Sequence, residues 1–267
     1  MAILLATLVM TGCSRLLFHP SRNVVKDETI SRFKPVDIWI ESGSETLHGW
    51  FFEARPARGT IVALHGNAEN ISTHVHGLLW LVTRGYSLLI VDYRGFGLST
   101  GTPDLDGVHR DARAVIHFAL TDPRLSTGRI ALLGQSIGAA VALHAIANTP
   151  RSNRLRCLIL DSPFSSYQLI AREKLSDFIL TWPLQYPLSW LFRDDYSPDR
   201  WIGEISVPTL FLHDEADRVV PPHHTRHLFD LARSPKRIII TNGHGHIGSF
   251  ADPKTRDEVI AFLDGAM

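Results

Sequence analysis

Six short, mostly apolar runs recur along the chain, at residues 60–64, 88–91, 130–133, 158–160, 209–212 and 237–240. Each is too short for a buried helix. Unbroken apolarity, rather than alternation, is the mark of a strand covered on both faces. Helical patterns lie between and after them, at 107–120, 139–147, 223–232 and 256–263. This alternation predicts an α/β fold with a mainly parallel central sheet and helices on both faces. Val36, Ile38 and Ile40 alternate with polar neighbours, and 47–52 reads as their partner. That pair is expected at one edge of the sheet, antiparallel.

The chain has 267 residues, enough for one large domain. Lys+Arg and Asp+Glu are both 27, so the net charge is zero and a basic nucleic-acid footprint is not supported. Two cysteines cannot build a disulfide framework or a paired-cysteine zinc site. Cys157 sits in an apolar run, where a buried, inert thiol is expected.

Residues 2–12 are almost wholly apolar and Cys13 follows. Eleven residues of helix span roughly 17 Å, short of the ~30 Å of a bilayer core. A signal-peptide apolar region fits that length. The ending Met10-Thr11-Gly12-Cys13 resembles a bacterial lipobox, in which the cysteine is lipidated and becomes the new N-terminus. The expectation is a signal segment over 1–13 with Cys13 as lipid anchor. An ordinary secretory signal, an uncleaved anchor and a buried helix are the alternatives. Residues 14–35 then read as a tether, and 36–267 as one domain.

Gly134-Gln135-Ser136-Ile137-Gly138 fits G-x-S-x-G. Chance alone supplies about 0.1 such matches in a chain of this composition, so the pattern needs its context. A nucleophile elbow requires a strand before it and a helix after it. Ser136 has both. A second match, Gly97-Leu98-Ser99-Thr100-Gly101, lies in a glycine-rich loop followed by Pro103, and has neither. Serine is a weak nucleophile at neutral pH and needs a histidine base, itself oriented by a carboxylate. The run at 209–212 leads into His213-Asp214-Glu215-Ala216-Asp217, which offers three carboxylates. Surface solvation is the plain reading of Asp214 and Glu215. The last run leads into His244-Gly245-His246, where either imidazole could return over the elbow. Backbone N–H groups of Ile137 and of Asn67, on the loop after 60–64, are the expected oxyanion donors.

Fourteen histidines raise a metal reading. His223 and His227 stand four apart on a helical pattern, and His74 and His76 two apart, but neither set carries the Glu or Cys of a common site; no metal is expected. Residues 163–205 break the strand–helix rhythm. Their Trp182, Tyr186, Trp190, Phe192 and Trp201 read as a helical cap, either packing onto the core or forming a lid over an acyl pocket.

Leu64-His65-Gly66-Asn67-Ala68, Asp92 to Ser99, the elbow, and Asp161-Ser162-Pro163-Phe164-Ser165-Ser166 together resemble the α/β-hydrolase superfamily over most of residues 36–265. They look like its small membrane-associated members, described as serine esterases, lysophospholipases or acyl-protein thioesterases. The resemblance implies Asp217 as triad acid and His246 as base, with Ser136 as nucleophile. This chain has Asp214 where the family usually has Gly, and Ile247-Gly248 where it usually has Asn-Asp. The expected activity is hydrolysis of carboxylic esters or thioesters of apolar acyl substrates, without a cofactor. A peptidase or acyltransferase on the same fold is the alternative, and a non-catalytic binding protein a more distant one. Lipid or acyl substrates, a membrane reached through the N-terminal anchor, no nucleic acid, and a bacterial cell-envelope location complete the expectation.

Overall fold

The computed structural model describes residues 17–125, 128–177, 179–233 and 235–267. The apolar leader and its expected anchor at Cys13 lie outside the described residues. The strands are β1 (His19–Pro20), β2 (Val36–Ser42), β3 (Glu45–Phe52), β4 (Gly59–Leu64), β5 (Ala68–Glu69), β6 (Tyr86–Val91), β7 (Ile130–Gln135), β8 (Leu155–Asp161), β9 (Thr209–Asp214) and β10 (Lys236–Thr241). The helices are α1 (Glu28–Arg32), α2 (Ile71–His74), α3 (Leu79–Thr83), α4 (Leu105–Thr121), α5 (Ile137–Ala147), α6 (Tyr167–Ser176), α7 (Gln185–Ser189), α8 (Pro198–Trp201), α9 (His223–Leu231) and α10 (Pro253–Ala266).

The main sheet runs β10-β9-β8-β7-β4-β6-β3-β2. It is parallel except at its far edge, where β3 lies antiparallel to both β6 and β2. All six apolar runs are strands of this sheet, and the early pair is its antiparallel edge. The reason for their unbroken apolarity is visible in β4. Val62 and Leu64 enter one core layer with residues of α4 and α5, while Ile61 and Ala63 enter the other with residues of α3 and α10. Three strands run on past the apolar stretch into polar residues, ending at Gln135, Asp161 and Asp214, all buried.

β4 is bonded to β6 on one side and to β7 on the other. The chain therefore leaves β4 and β7 in diverging directions, and a crevice opens at the carboxyl ends of these strands. The loops bearing His65-Gly66-Asn67 and Ser136 flank it.

Residues 14–35 are not a tether from Leu17 onward. β1 pairs in parallel with β5. Phe18 is buried, packed edge-on against Phe96 at 6.4 Å. Asn70 Nδ2 donates to the carbonyls of Ser21 and Asn23, and Ile30 is fully buried. The arm is strapped over loops rather than built into a long element, so it has no hydrophobic period to read.

The excursion over 163–205 is helical, with α6, α7 and α8. Its aromatics do not all pack onto the core: Trp182, Tyr186 and Trp190 are 60%, 55% and 68% exposed. Trp201 does turn inward, edge-on to His144 at 5.0 Å.

Candidate active site

Ser136 occupies the turn between β7 and α5 with φ 54° and ψ −119°, a backbone conformation that non-glycine residues rarely adopt. The two glycines of the motif exist for close packing. A Cβ at Gly138 would lie 2.0 Å from the Leu64 carbonyl oxygen, and one at Gly134 2.6 Å from Ala139 Cα. Only glycine lets helix α5 start this close to β4. The Ser136 N–H donates to the Asp161 carbonyl at 2.9 Å, which fixes the elbow to the end of β8. Ser99, the other motif serine, is fully buried; its hydroxyl donates to the Asp92 carbonyl and accepts from the His48 N–H, both at 2.8 Å. It ties a loop to the edge of β3.

His246 Nδ1 and Asp217 Oδ2 are 2.7 Å apart. A carboxylate only accepts, so this contact places the imidazole proton on Nδ1 and leaves the Nε2 lone pair available as a base. The geometry therefore pairs His246, not His244, with Asp217. Burial alone would raise the Asp217 carboxyl. The imidazoles of His213 and His246 and the Val220 N–H outweigh burial and hold it far below the usual carboxylate range. No Ser136–His246 hydrogen bond forms among the described residues, and such bonds often close only around substrate. The two loops are nonetheless stapled together. The Ile247 N–H donates to Ser162 Oγ at 3.1 Å, one residue past the Asp161 carbonyl that holds Ser136. Ile247 (φ 51°) and Ser162 (φ 52°) share the left-handed strain of Ser136. For a β-branched residue such as Ile247 this costs roughly 1–3 kcal/mol.

The oxyanion donors predicted from sequence flank the crevice. A Cβ at Gly66 would lie 3.9 Å from Ser136 Cβ, so the loop after β4 passes directly over the nucleophile. The Asn67 carbonyl and amide side chain are committed to the N-terminal arm, accepting from His19 N–H and donating to the Leu17 carbonyl. Its backbone N–H, like that of Ile137, bonds no other group among the described residues. His74 stacks on His65 beneath this loop at 5.0 Å between ring centroids. Burial and the neighbouring His65 push His74 down to about 4, so it is neutral at pH 7.

Asp214 is not the solvated carboxylate its sequence position suggests. It is fully buried. It accepts from Thr241 Oγ1 at 2.7 Å and from the N–H groups of Ala216, Gly243, His244 and Gly245 at 2.9–3.2 Å. Burial opposes its ionisation, but these donors prevail and hold its carboxyl below the ordinary value. One carboxylate thus organises the loop that carries His246. Glu215 does remain at the surface, paired with Arg226. Asp214→Asn presents an amide NH₂ to donors that require an acceptor. It is expected to lower kcat by about 10- to 100-fold through misplacement of His246, with KM changed less than about threefold, in steady-state ester assays.

The histidines read for metal lie elsewhere. His74 meets the Ala68 carbonyl at 3.0 Å, and His76 meets Asp27 at 3.2 Å. His223 and His224 each place Nε2 3.0 Å from the Glu173 carboxylate of α6, and the three ligand atoms cluster within 4.8 Å. The donor set does not fit a cation. His224 Nδ1 accepts from the Ser165 N–H at 3.1 Å, so the proton of the neutral ring sits on Nε2, where a metal would have to bind. The cluster is instead a hydrogen-bonded joint between cap and body.

This joint makes a stability prediction. Burial drives His224 down to about 4 despite Glu173, and drives His109 well below its ordinary value. The unfolded chain therefore binds protons that the folded chain refuses. Stability is complete above pH ~6.5 and is lost as pH falls toward 4, by about 3 kcal/mol for His224 alone. Thermal melts are expected to show Tm falling by roughly 10 °C from pH 7 to pH 4, and less steeply in His224→Gln.

Cys157 is buried, and burial pushes its thiol up to about 12, leaving it inert at neutral pH. A cleft of about 450 Å³, lined by Ile146, Arg151, Leu155 and Pro208 among others, opens at the amino-terminal edge of the sheet. It lies opposite the elbow and cannot receive its substrate.

Comparison with known proteins bears on the family and the fold. Residues 55–197 match the family described as "Serine aminopeptidase, S33". The uncharacterized protein YfhR of Escherichia coli K12 is 34% identical over 241 residues, covering 87% of this chain and 81% of that protein. The alpha/beta hydrolase domain-containing protein WAV2 of Arabidopsis thaliana is 30% identical over 213 residues, 75% and 68% of the respective chains. The esterase Pf2001 of Pyrococcus furiosus superposes with a TM-score of 0.75 over 94% of this chain and 98% of its own, at 20% identity.

Proposed function

The chain belongs to the α/β-hydrolase superfamily, in the family described as serine aminopeptidase, S33, and from that premise we propose that it cleaves carboxylic esters or thioesters of apolar acyl groups through an acyl-enzyme on Ser136. The observation that carries this reading is the closed Asp217–His246 contact at 2.7 Å beside a serine held in elbow geometry.

In the proposed reaction, His246 Nε2 takes the Ser136 proton as Oγ attacks the acyl carbonyl. The carbonyl oxygen becomes an oxyanion, met by the N–H groups of Asn67 and Ile137. The first turn of α5 adds its dipole at the same point. His246 then passes its proton to the departing alkoxide or thiolate. A water molecule, deprotonated by His246, attacks the acyl-enzyme and releases the acid. Asp217 keeps the imidazole proton on Nδ1 throughout and stabilises the imidazolium. Serine, imidazole, carboxylate and water balance every step, so the chemistry draws on no cofactor.

A panel of p-nitrophenyl esters, acyl thioesters and aminoacyl p-nitroanilides tests the reading. Ester or thioester kcat/KM at least about 100-fold above that for the anilides supports it. The reverse order would replace it with the peptidase that the family description suggests.

A further inference from the structure

Strands β4, β6, β7, β8 and β9 are parallel, so the loops at their carboxyl ends share one edge of the molecule. Three independent features meet there. The first is the crevice with Ser136. The second is the cap, which leaves the sheet after β8. Its outer run presents Ile179 and Leu180 at 89% and 85% exposure, followed by Trp182, Leu184, Tyr186 and Trp190. Leu98, after β6, and Val219, after β9, add to the same rim. Together these are eight of the twelve strongly exposed large apolar side chains among the described residues. A concentration of that kind at one edge marks an interaction surface rather than ordinary scatter.

The third feature identifies the partner. The chain enters the fold at this edge, with the Leu17 carbonyl held by Asn67 Nδ2 at 3.0 Å. Leu17 stands four positions after Cys13, a stretch that reaches about 14 Å when fully extended. Cys13 is therefore tethered within that reach of Leu17, and the apolar residues 2–12 precede it in the chain. An apolar leader inserted in a bilayer, or a lipid on Cys13, holds the site edge against the membrane surface. The exposed rim combines aliphatic tips with Trp and Tyr, the amphipathic rings that settle at a membrane–water interface. A partner protein would account for the rim but not for its coincidence with the entry point of the leader.

We propose that the rim formed by Ile179, Leu180, Trp182, Leu184, Tyr186 and Trp190 docks on a lipid bilayer surface, with the Ser136 crevice facing the membrane. Among the described residues no helix is long and apolar enough to cross a membrane, so the rim lies on the bilayer and does not span it. Docking of the rim does not depend on what Ser136 cleaves.

Tryptophan quenching tests it. The full chain is reconstituted into phosphatidylcholine vesicles, with and without acyl-brominated lipid, beside Trp182→Phe/Trp190→Phe. Two of the six tryptophans lie on the rim, so brominated lipid is expected to quench about a third of the emission, and the double variant to lose that component. Leu180→Ser, at a position with no packing to lose, is expected to halve the quenching while Tm stays within about 2 °C. Equal quenching in wild type and double variant, or none in either, overturns the proposal. So does self-association in sedimentation velocity that requires the same side chains and leaves them unquenched on vesicles, since the rim would then bury itself against a second copy.

Discussion

Replacing Ser136 with alanine is expected to lower ester kcat/KM by about 10⁴- to 10⁶-fold, while thermal melting stays within about 2 °C of wild type. The two halves of that expectation come from different atoms. The hydroxyl is the attacking group, so its removal leaves only the oxyanion donors and the binding surface. The backbone geometry of φ 54° is imposed by what surrounds the turn: the Ser136 N–H on the Asp161 carbonyl, and α5 pressed against β4 at Gly138. Alanine carries the same Cβ and leaves those constraints in place. Ser99→Ala gives the opposite pattern. Its hydroxyl bridges the Asp92 carbonyl and the His48 N–H in a fully buried position, so stability should fall by about 1–3 kcal/mol with kcat little changed. Steady-state kinetics and melts on the two variants separate the motif that matters from its look-alike.

Asp217→Asn is expected to lower kcat by about 10⁴-fold. The carboxylate holds the proton of His246 on Nδ1 across 2.7 Å. An amide can donate as well as accept. The oxygen of the introduced amide can still serve the Val219 and Val220 N–H groups, which now bond Oδ1 of the aspartate at 2.8 and 2.9 Å. That orientation turns the NH₂ toward His246. The imidazole then accepts at Nδ1 and carries its proton on Nε2, facing the serine as a donor rather than a base. The loss should therefore appear in kcat, with KM changed little. It should also exceed that of Asp214→Asn, which disturbs the position of His246 and not its tautomer. The ratio of the two effects distinguishes the acid of the triad from the carboxylate that shapes its loop.

The parallel sheet was legible because its strands are buried on both faces, and that condition writes itself into sequence as unbroken apolar runs. The elbow was legible for a related reason. Gly134 and Gly138 are forced by backbone contacts of 2.0–2.6 Å that any Cβ would violate. Asp214 was not legible. Three carboxylates stand within four residues, and sequence carries no sign of which one continues a strand into the interior. Asp214 is the last residue of β9, and the backbone N–H groups it collects come mostly from a loop about thirty residues further along the chain. His244 and His246 flank one glycine and differ only in which faces Asp217, a matter of loop conformation rather than composition. The N-terminal arm carries no such signal, for the converse reason. Its bonds run to the loops after β4 and β6, so it is fixed in space without a repeating pattern of its own. The cap aromatics break the usual rule that large rings mark the core, since Trp182, Tyr186 and Trp190 face solvent.

Everything proposed for this site requires Ser136 to be an activated nucleophile. Intact-mass analysis after treatment with a serine-reactive fluorophosphonate tests it most directly. A single adduct is expected on the folded wild-type protein, absent in Ser136→Ala and strongly slowed in His246→Ala. An unlabelled wild type with a normal melting transition, or an adduct that persists in Ser136→Ala, would contradict it.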